Sequence, residues 1–417
     1  MKTFVLSGTH LPDRDGAWDI AVASGRVAGI ERHIPSDARV AADGMLAFPG
    51  FCEAHIHLDK ALILDRCDMC APSLASAVTE TARVKAEASE QDVYERAARV
   101  IEMAILQGTT LMRSFVELDP RAGTRGFDAL MRLKRDYAWA VEIQICAFAQ
   151  EGLSNEPKTE PLLVHALENG ADLVGGCPYR DPDPRGHVRR ILDLAESFGT
   201  HADFHVDFDL DPDGSDLPAI AAETERRGMQ GRVVVGHATK LSAMTLKAVD
   251  RTGRMLADAG IGVVALPSTD LFLTGREAER LVPRGLAPLE RLAAAGVQTA
   301  LASNNIQNPF TPYGDANALR MANLYANLAH LASDAELATC FDRVAGGAAA
   351  LIGRPRALTV GAPADIVLLD ASEPAAAVRG LAEPRAGWRN GTQTFRRPEA
   401  RLMRPGGARD EPGDQYR

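Results

Sequence analysis

Only six cysteines (Cys52, Cys67, Cys70, Cys146, Cys177 and Cys340) occur in 417 residues, too few and too scattered for a disulfide framework. Cys67-Asp-Met-Cys70 has the spacing of a zinc or redox pair, but no second close pair completes it. Positive charge is also short: 46 Lys and Arg stand against 56 Asp and Glu, a formal net charge of -10. That balance argues against nucleic acid or an anionic membrane as partner. No stretch has the unbroken apolar length of a membrane span, and the start, Met1 to Ser7, turns polar too soon for a signal peptide. A cytoplasmic protein is therefore expected. No Gly-x-Gly-x-x-Gly follows the first strand candidate and no phosphate loop occurs, which disfavours a nucleotide-binding open sheet.

With 46% hydrophobic and 24% charged residues, the chain has an ordinary globular composition, and it is long enough for a barrel-sized domain plus a smaller one. Short strand-like pieces, separated by Gly, Pro and Asp, fill the first fifty residues at Thr3 to Ser7, Trp18 to Ala23 and Val27 to Ile30. They return near the other end at Ala364 to Asp370. Between them, apolar runs alternate with amphipathic helical stretches. Strands are expected near 46–52, 109–115, 140–148, 171–177, 201–206, 232–237, 261–267 and 297–302, with helices such as Glu87 to Gln107, Gly126 to Arg135 and Met244 to Ala259 in the gaps. Eight such strands close a parallel barrel. The pattern predicts a (β/α)8 TIM barrel over 49–351, a small β domain from 1–48 plus 352–400, and a mobile tail at 401–417.

In such a barrel the chemistry lies at the C-terminal ends of the strands. The first candidate strand leads into His55-Ile-His57; side chains two apart on an extended chain share a face, so both imidazoles can meet one ion. His205 marks the end of the fifth strand, His237 the sixth and Asn304-Asn305 the eighth. Three imidazoles and a water make a catalytic site for zinc, and imidazole also suits iron. His237 reads either as a ligand or as the group that orients and deprotonates the water. Asp207, two residues after His205, is a proton-transfer candidate if the strand continues, and Phe208 then faces elsewhere. Gln150 is placed to hydrogen-bond a planar amide or amidine. Lys60, Arg113, Asp270 and Arg276 are weaker candidates for contact with substrate. Asp315 and Asn317 fit a helix cap, while Asp119, Asp172 and Asp181 read as solvated loop charges.

These residues resemble the amidohydrolase superfamily, within it the cytosine-deaminase-like branch that includes amine-releasing triazine hydrolases. The resemblance rests on Phe51-Cys-Glu-Ala-His55-Ile-His57-Leu-Asp-Lys60, Ala147-Phe-Ala-Gln150-Glu-Gly152, Phe204-His205, Gly236-His237-Ala-Thr and Asn304-Asn305-Ile-Gln-Asn-Pro309-Phe-Thr-Pro-Tyr-Gly314. It implies a barrel flanked by a β-sandwich domain and one divalent ion, zinc or iron, with manganese a further option. By the same resemblance, His55, His57 and His205 bind the metal, His237 meets the hydrolytic water, and Gln150 binds the ring. Asn304 then stands where the family has a metal-binding aspartate, and Asn305 where a further carboxylate helps hold substrate. Cytosine deaminases carry a glutamate three residues after the fifth-strand histidine; Phe208 occupies that place here. Two familiar proton carriers are thus missing, because an amide oxygen can ligate but cannot serve as the base. Hydrolysis of a non-peptide C–N bond in a small planar cyclic nitrogen compound is expected, by deamination or by opening of a cyclic amide or imide. A catalytically impaired binding protein is the alternative. Association into a homo-oligomer is compatible with the small and apolar residues of 318–331.

Overall fold

A computed structural model describes residues 3–68, 73–398, 400 and 402. The expected tail therefore falls almost wholly outside the described residues, as does Cys70. Of the proposed cysteine pair only Cys67 is described, its thiol donating to the Ile63 carbonyl at 3.2 Å.

Eight parallel strands form the barrel in strict chain order: Phe51–Ile56, Thr109–Glu117, Glu142–Ala149, Leu173–Gly176, His201–Val206, Val233–His237, Ile261–Ala265 and Thr299–Leu301. Most are buried throughout, as strands covered on both faces are. The seam between first and last is closed by Asn304, whose N–H donates to the His55 carbonyl while its own carbonyl accepts from His57 N–H, each at 2.8 Å. One of the candidate site residues is thus also the residue that shuts the barrel.

The second sheet interleaves the two chain regions. Phe4–Leu11, Arg14–Ala23, Arg26–Glu31, Arg39–Ala41 and Leu46–Phe48 come from the first, and Ile366–Leu369, Pro384–Arg389 and Thr392–Arg396 from the second. They join where Leu46–Phe48 pairs antiparallel with Ile366–Leu369, over a core that includes Leu6, Ile20, Val22, Ile366 and Trp388. This is the expected barrel with a β domain made from both ends of the chain.

One strand was expected in the wrong place. The run 46–52 is divided by Pro49-Gly50, so that 46–48 joins the small domain and the first barrel strand begins at Phe51. Proline cannot donate to a ladder, and Gly50 turns with φ +97°, where a side chain would strike Thr110. Four helices went unforeseen as well: Leu74–Glu87, Pro267–Leu273, Gly346–Leu351 and Pro374–Gly380. The first opens with a Ser73/Ser76 capping box and lays Ala77, Thr81 and Val84 inward at helical spacing. Among the described residues, no helix is long and apolar enough to cross a membrane.

Candidate active site

Past a register irregularity between Glu53 and Ile56, His55 and His57 stand two residues apart at the end of the first barrel strand, both rings against Phe115. His205 arrives from the fifth strand, and its ring centroid stacks 4.5 Å from that of His55 and 5.1 Å from that of His57. Close approach of His55 to the sixth strand depends on Gly236, because a Cβ there would fall 2.7 Å from His55 Cε1. Phe115 and Phe148 wall the rings at centroid distances of 4.1 Å from His55 and 4.2 Å from His205. One potential ligand atom from each of the three histidines lies within 4.8 Å of the others. This is the only such group among the described residues.

All three imidazoles are buried, and burial, with neighbouring positive charge second, holds each well below the usual histidine range. They are neutral, as ligands must be. Both ring nitrogens of His55, Nδ1 of His57, Nε2 of His205 and Oδ1 of Asn304 are buried without a hydrogen-bond partner. Unsatisfied polar atoms in a dry site are costly, so one nitrogen from each of three rings, all within 4.8 Å of one another, calls for a group to fill the space between them. Three imidazole nitrogens and one amide oxygen fit a divalent cation of borderline softness.

The mouth is built on unusual backbone. Asp207, His237, Ala238 and Asn304, at the ends of the fifth, sixth and eighth strands, all have positive φ between 52° and 72°. Such residues are uncommon outside glycine and concentrate where geometry serves a site. The turn at Asp207 overturns the simple alternation. Its carboxylate points into the following loop, where Oδ2 accepts from Ser215 Oγ at 2.5 Å and Oδ1 from Asp216 N–H at 2.9 Å. Burial raises this carboxyl above its ordinary range, yet it is committed to holding a loop. Phe208 takes the inward direction instead and sets its ring 4.4 Å from that of His237.

The carboxylate that does reach a site histidine is Asp270, from the unforeseen helix Pro267–Leu273. Its Oδ1 lies 2.6 Å from His237 Nδ1, and its Oδ2 accepts from Leu266 N–H at 3.0 Å. Burial raises the Asp270 carboxyl, while His237 opposes that shift. With Nδ1 engaged, the other nitrogen, Nε2, is left to meet a water or substrate.

Gln150 is buried beside Cys177, its Nε2 donating to the thiol at 3.6 Å, a contact sequence reasoning did not foresee. Asn305 Oδ1 accepts from Asn308 Nδ2 at 2.7 Å, and Asn308 Nδ2 also donates to the Lys60 carbonyl. Lys60 is buried in an ion pair with Glu117 at 2.5 Å and sits 4.4 Å from the Phe310 ring centroid. Glu117 in turn accepts from Lys85 of Leu74–Glu87, at 2.7 Å. Lys60 stands at the mouth, but as a member of a charge network.

Four weaker candidates resolve into structural roles. Arg113 is locked in the barrel interior, donating to Asp203, Gln144 and the Ile352 carbonyl. Arg276 is exposed and lies over the Phe272 ring. Asn317 caps Ala318–Ala329 by accepting from Arg320 N–H at 3.1 Å, whereas Asp315 is exposed and takes no N–H of that helix. The three aspartates read as solvated are not: Asp119 is buried against Lys85 at 2.6 Å, Asp181 is buried against His187 at 3.1 Å, and Asp172 pairs with Lys134 at 2.5 Å. Lone aspartates carry no local signal, since their partners lie far away in sequence.

Known proteins resemble this chain in sequence and fold. The sequence profile of the amidohydrolase family matches residues 122–395. Over 362 residues the chain is 31% identical to a pterin deaminase of Rhizobium rhizogenes, covering 85% of this chain and 82% of that one. It superposes on 5-methylcytosine deaminase from Klebsiella pneumoniae liganded with 5-fluorocytosine with a TM-score of 0.92 at 27% identity, over 97% of this chain and 100% of the other. N-isopropylammelide isopropylaminohydrolase from Burkholderia multivorans gives a TM-score of 0.83 at 28% identity, over 95% and 99% of the two chains.

Proposed function

We propose, since this chain belongs to the amidohydrolase family, that it is a metal-dependent hydrolase of a C–N bond outside peptides, acting on a small planar cyclic nitrogen compound. The observation that carries the reading is the buried group His55, His57 and His205, with nitrogens unpartnered, and the Asn304 oxygen, on the residue whose backbone bonds His55 and His57, unpartnered too. These four side chains would hold one divalent ion, zinc or iron first and manganese third. Such an ion supplies an acidified water and an electrophilic pull on the carbon under attack.

The protein's own side chains then divide the remaining work. Asn304 offers a neutral oxygen and takes no proton. His237, its Nδ1 fixed by Asp270, presents Nε2 as the acceptor of the water proton and the carrier that delivers it to the leaving nitrogen. His237 thereby fills the proton-transfer part expected of Asp207, with Asp270 positioning its ring. Gln150 and Asn305 orient the ring by its amide edge, and Phe208 covers His237 and excludes water. A cytoplasmic setting fits these chemistries and is checked by cell fractionation.

Metal analysis of protein purified without chelator should give one equivalent. Stripping should abolish turnover and lower Tm, since an ion at a hundred times its Kd stabilises by ~2.7 kcal/mol. A screen of cyclic amides, aminopyrimidines and triazines then separates deamination, which frees ammonia, from ring opening, which adds one water without ammonia. Absence of bound metal, with no gain on adding zinc, iron or manganese, defeats the reading.

A further inference from the structure

The loop after the fifth barrel strand carries five aspartates in ten residues, Asp207, Asp209, Asp211, Asp213 and Asp216. Charges so close in sequence repel one another, and a loop of this composition left to itself is extended. Phe208 is nevertheless buried within it and set against His237, so the loop is held from outside.

The hold comes from the two residues that follow His237-Ala238 at the end of the sixth strand. Thr239 Oγ1 stands 2.9 Å from the carbonyl oxygens of both Asp207 and Asp209, so its one proton is shared between the residues on either side of Phe208. Lys240 N–H donates to the Asp207 carbonyl at 3.1 Å. The Lys240 ammonium has three protons and meets three acceptors, Asp209 Oδ1 at 2.5 Å, the Asp211 carbonyl at 2.7 Å and the Asp213 carbonyl at 2.9 Å. The far end of the loop is fastened separately, by the Asp207 carboxylate on Ser215 and Asp216.

Packing alone does not account for this hold. Asp207, His237 and Ala238 are left-handed at φ +53°, +72° and +52°, and backbone of that kind relaxes unless bonds across the turn retain it. Phe208 does pack with Ala77, Leu273 and Phe310, but apolar contact has no direction and does not by itself fix where the ring stands.

We propose that Thr239 and Lys240 are positioning residues: by bonding the backbone on both sides of Phe208 they keep its ring over His237, so that water stays off the imidazole and its free nitrogen keeps one direction. This rests on the reading of His237 as the proton carrier of a metal hydrolase.

The test follows the His237 ring by NMR of labelled histidine in Thr239→Val, which keeps the shape and removes the hydroxyl, and in Lys240→Met, which keeps the length and removes the charge. Phe208→Ala marks the resonance of the uncovered ring. Both variants should move the His237 signal at least halfway toward that mark and lower kcat by about ten- to hundredfold with KM within about threefold, whereas Thr239→Ser, which keeps the hydroxyl, should retain the wild-type signal. The losses should not add: Phe208→Ala combined with Thr239→Val should match Phe208→Ala alone within about twofold. Circular dichroism reports whether each variant is folded, and an unmoved signal in either folded variant overturns the proposal. So does a moved signal with unchanged kcat, or a loss that multiplies in the double variant. A protein that takes up none of zinc, iron or manganese fails at the underlying reading, which metal analysis shows without reference to the NMR signal.

Discussion

Replacing Asp270 by Asn keeps the size of the side chain and removes its charge, and the consequence falls on one proton. In the native pair His237 Nδ1 donates to Asp270 Oδ1 at 2.6 Å, with both side chains buried, so Nε2 carries the lone pair. An Asn amide group turned toward the ring donates instead of accepting. The ring then moves its own proton to Nε2, where it cannot accept another. A charge-assisted hydrogen bond in such a site is worth ~1.5–3 kcal/mol, roughly 10- to 150-fold in rate. Loss of the correct tautomer raises the cost toward about 10⁴-fold, as in the buried Asp–His pair of serine proteases. Turnover of whichever ring the screen identifies should therefore fall by about 10² to 10⁴, with metal content unchanged. Nitrogen NMR of labelled histidine gives a readout independent of substrate: the protonated nitrogen of His237 should move from Nδ1 to Nε2. Turnover within threefold of wild type, with the tautomer unmoved, would refute the assignment of His237 as an Asp270-directed base.

Two further outcomes follow from the same geometry. Asp207→Asn should lower stability by ~1–2 kcal/mol in urea unfolding, because its single oxygen can accept from only one of the two donors, the Ser215 hydroxyl and the Asp216 N–H, while turnover per folded molecule stays within about twofold; a hundredfold loss in a stable variant would return Asp207 to the chemistry. Glu53 is buried with its carboxyl raised to about 7, burial being the cause that outweighs its bonds from Ser303 and His55. Folding therefore takes up a proton there: this stabilisation is complete below the ordinary glutamate value of 4.5 and is lost as pH rises through about 7. In metal-free protein, Glu53→Gln should flatten that decline, by up to ~3 kcal/mol at pH 8; parallel stability curves for variant and wild type would show that Glu53 is ionised throughout.

The architecture was legible because it rests on period. Eight apolar runs alternating with helices specify the barrel, and His55, His57 and His205 follow from where those runs end. What escaped the sequence were places where the chain leaves the regular form. Pro49-Gly50 moves the first strand by half its length. The positive φ of Asp207 exchanges two neighbours, sending the carboxylate out and Phe208 in, and no alternation rule contains such a turn. Asp270 was one of several unremarkable mouth residues, since its partner His237 is 33 positions away and meets it only through a short helix. Asp119 was misjudged for a related reason: its partner is Lys85 of Leu74–Glu87, which also reaches Glu117, while Lys60 takes the ion-pair role that was its more ordinary reading.

Asn304 shows how the charge of such a site can differ while its geometry persists. Its backbone closes the barrel seam through two hydrogen bonds at 2.8 Å, and it does so at φ +61°, where Asn and Asp are among the few residues beyond glycine that sit at small cost. Both have the same shape, and both keep an oxygen at Oδ1. An Asn at this position therefore leaves the seam and the approach to the histidines unstrained and changes one thing, the negative charge. Val could not make that exchange, because a β-branched side chain in left-handed backbone would strain the seam. Asn304→Asp is for this reason a clean electrostatic perturbation. If its melting temperature without metal matches wild type, any change in metal affinity reports charge alone; if the metal-free variant is destabilised by several kcal/mol, the pocket cannot accept a carboxylate, and the neutral side chain is a packing requirement.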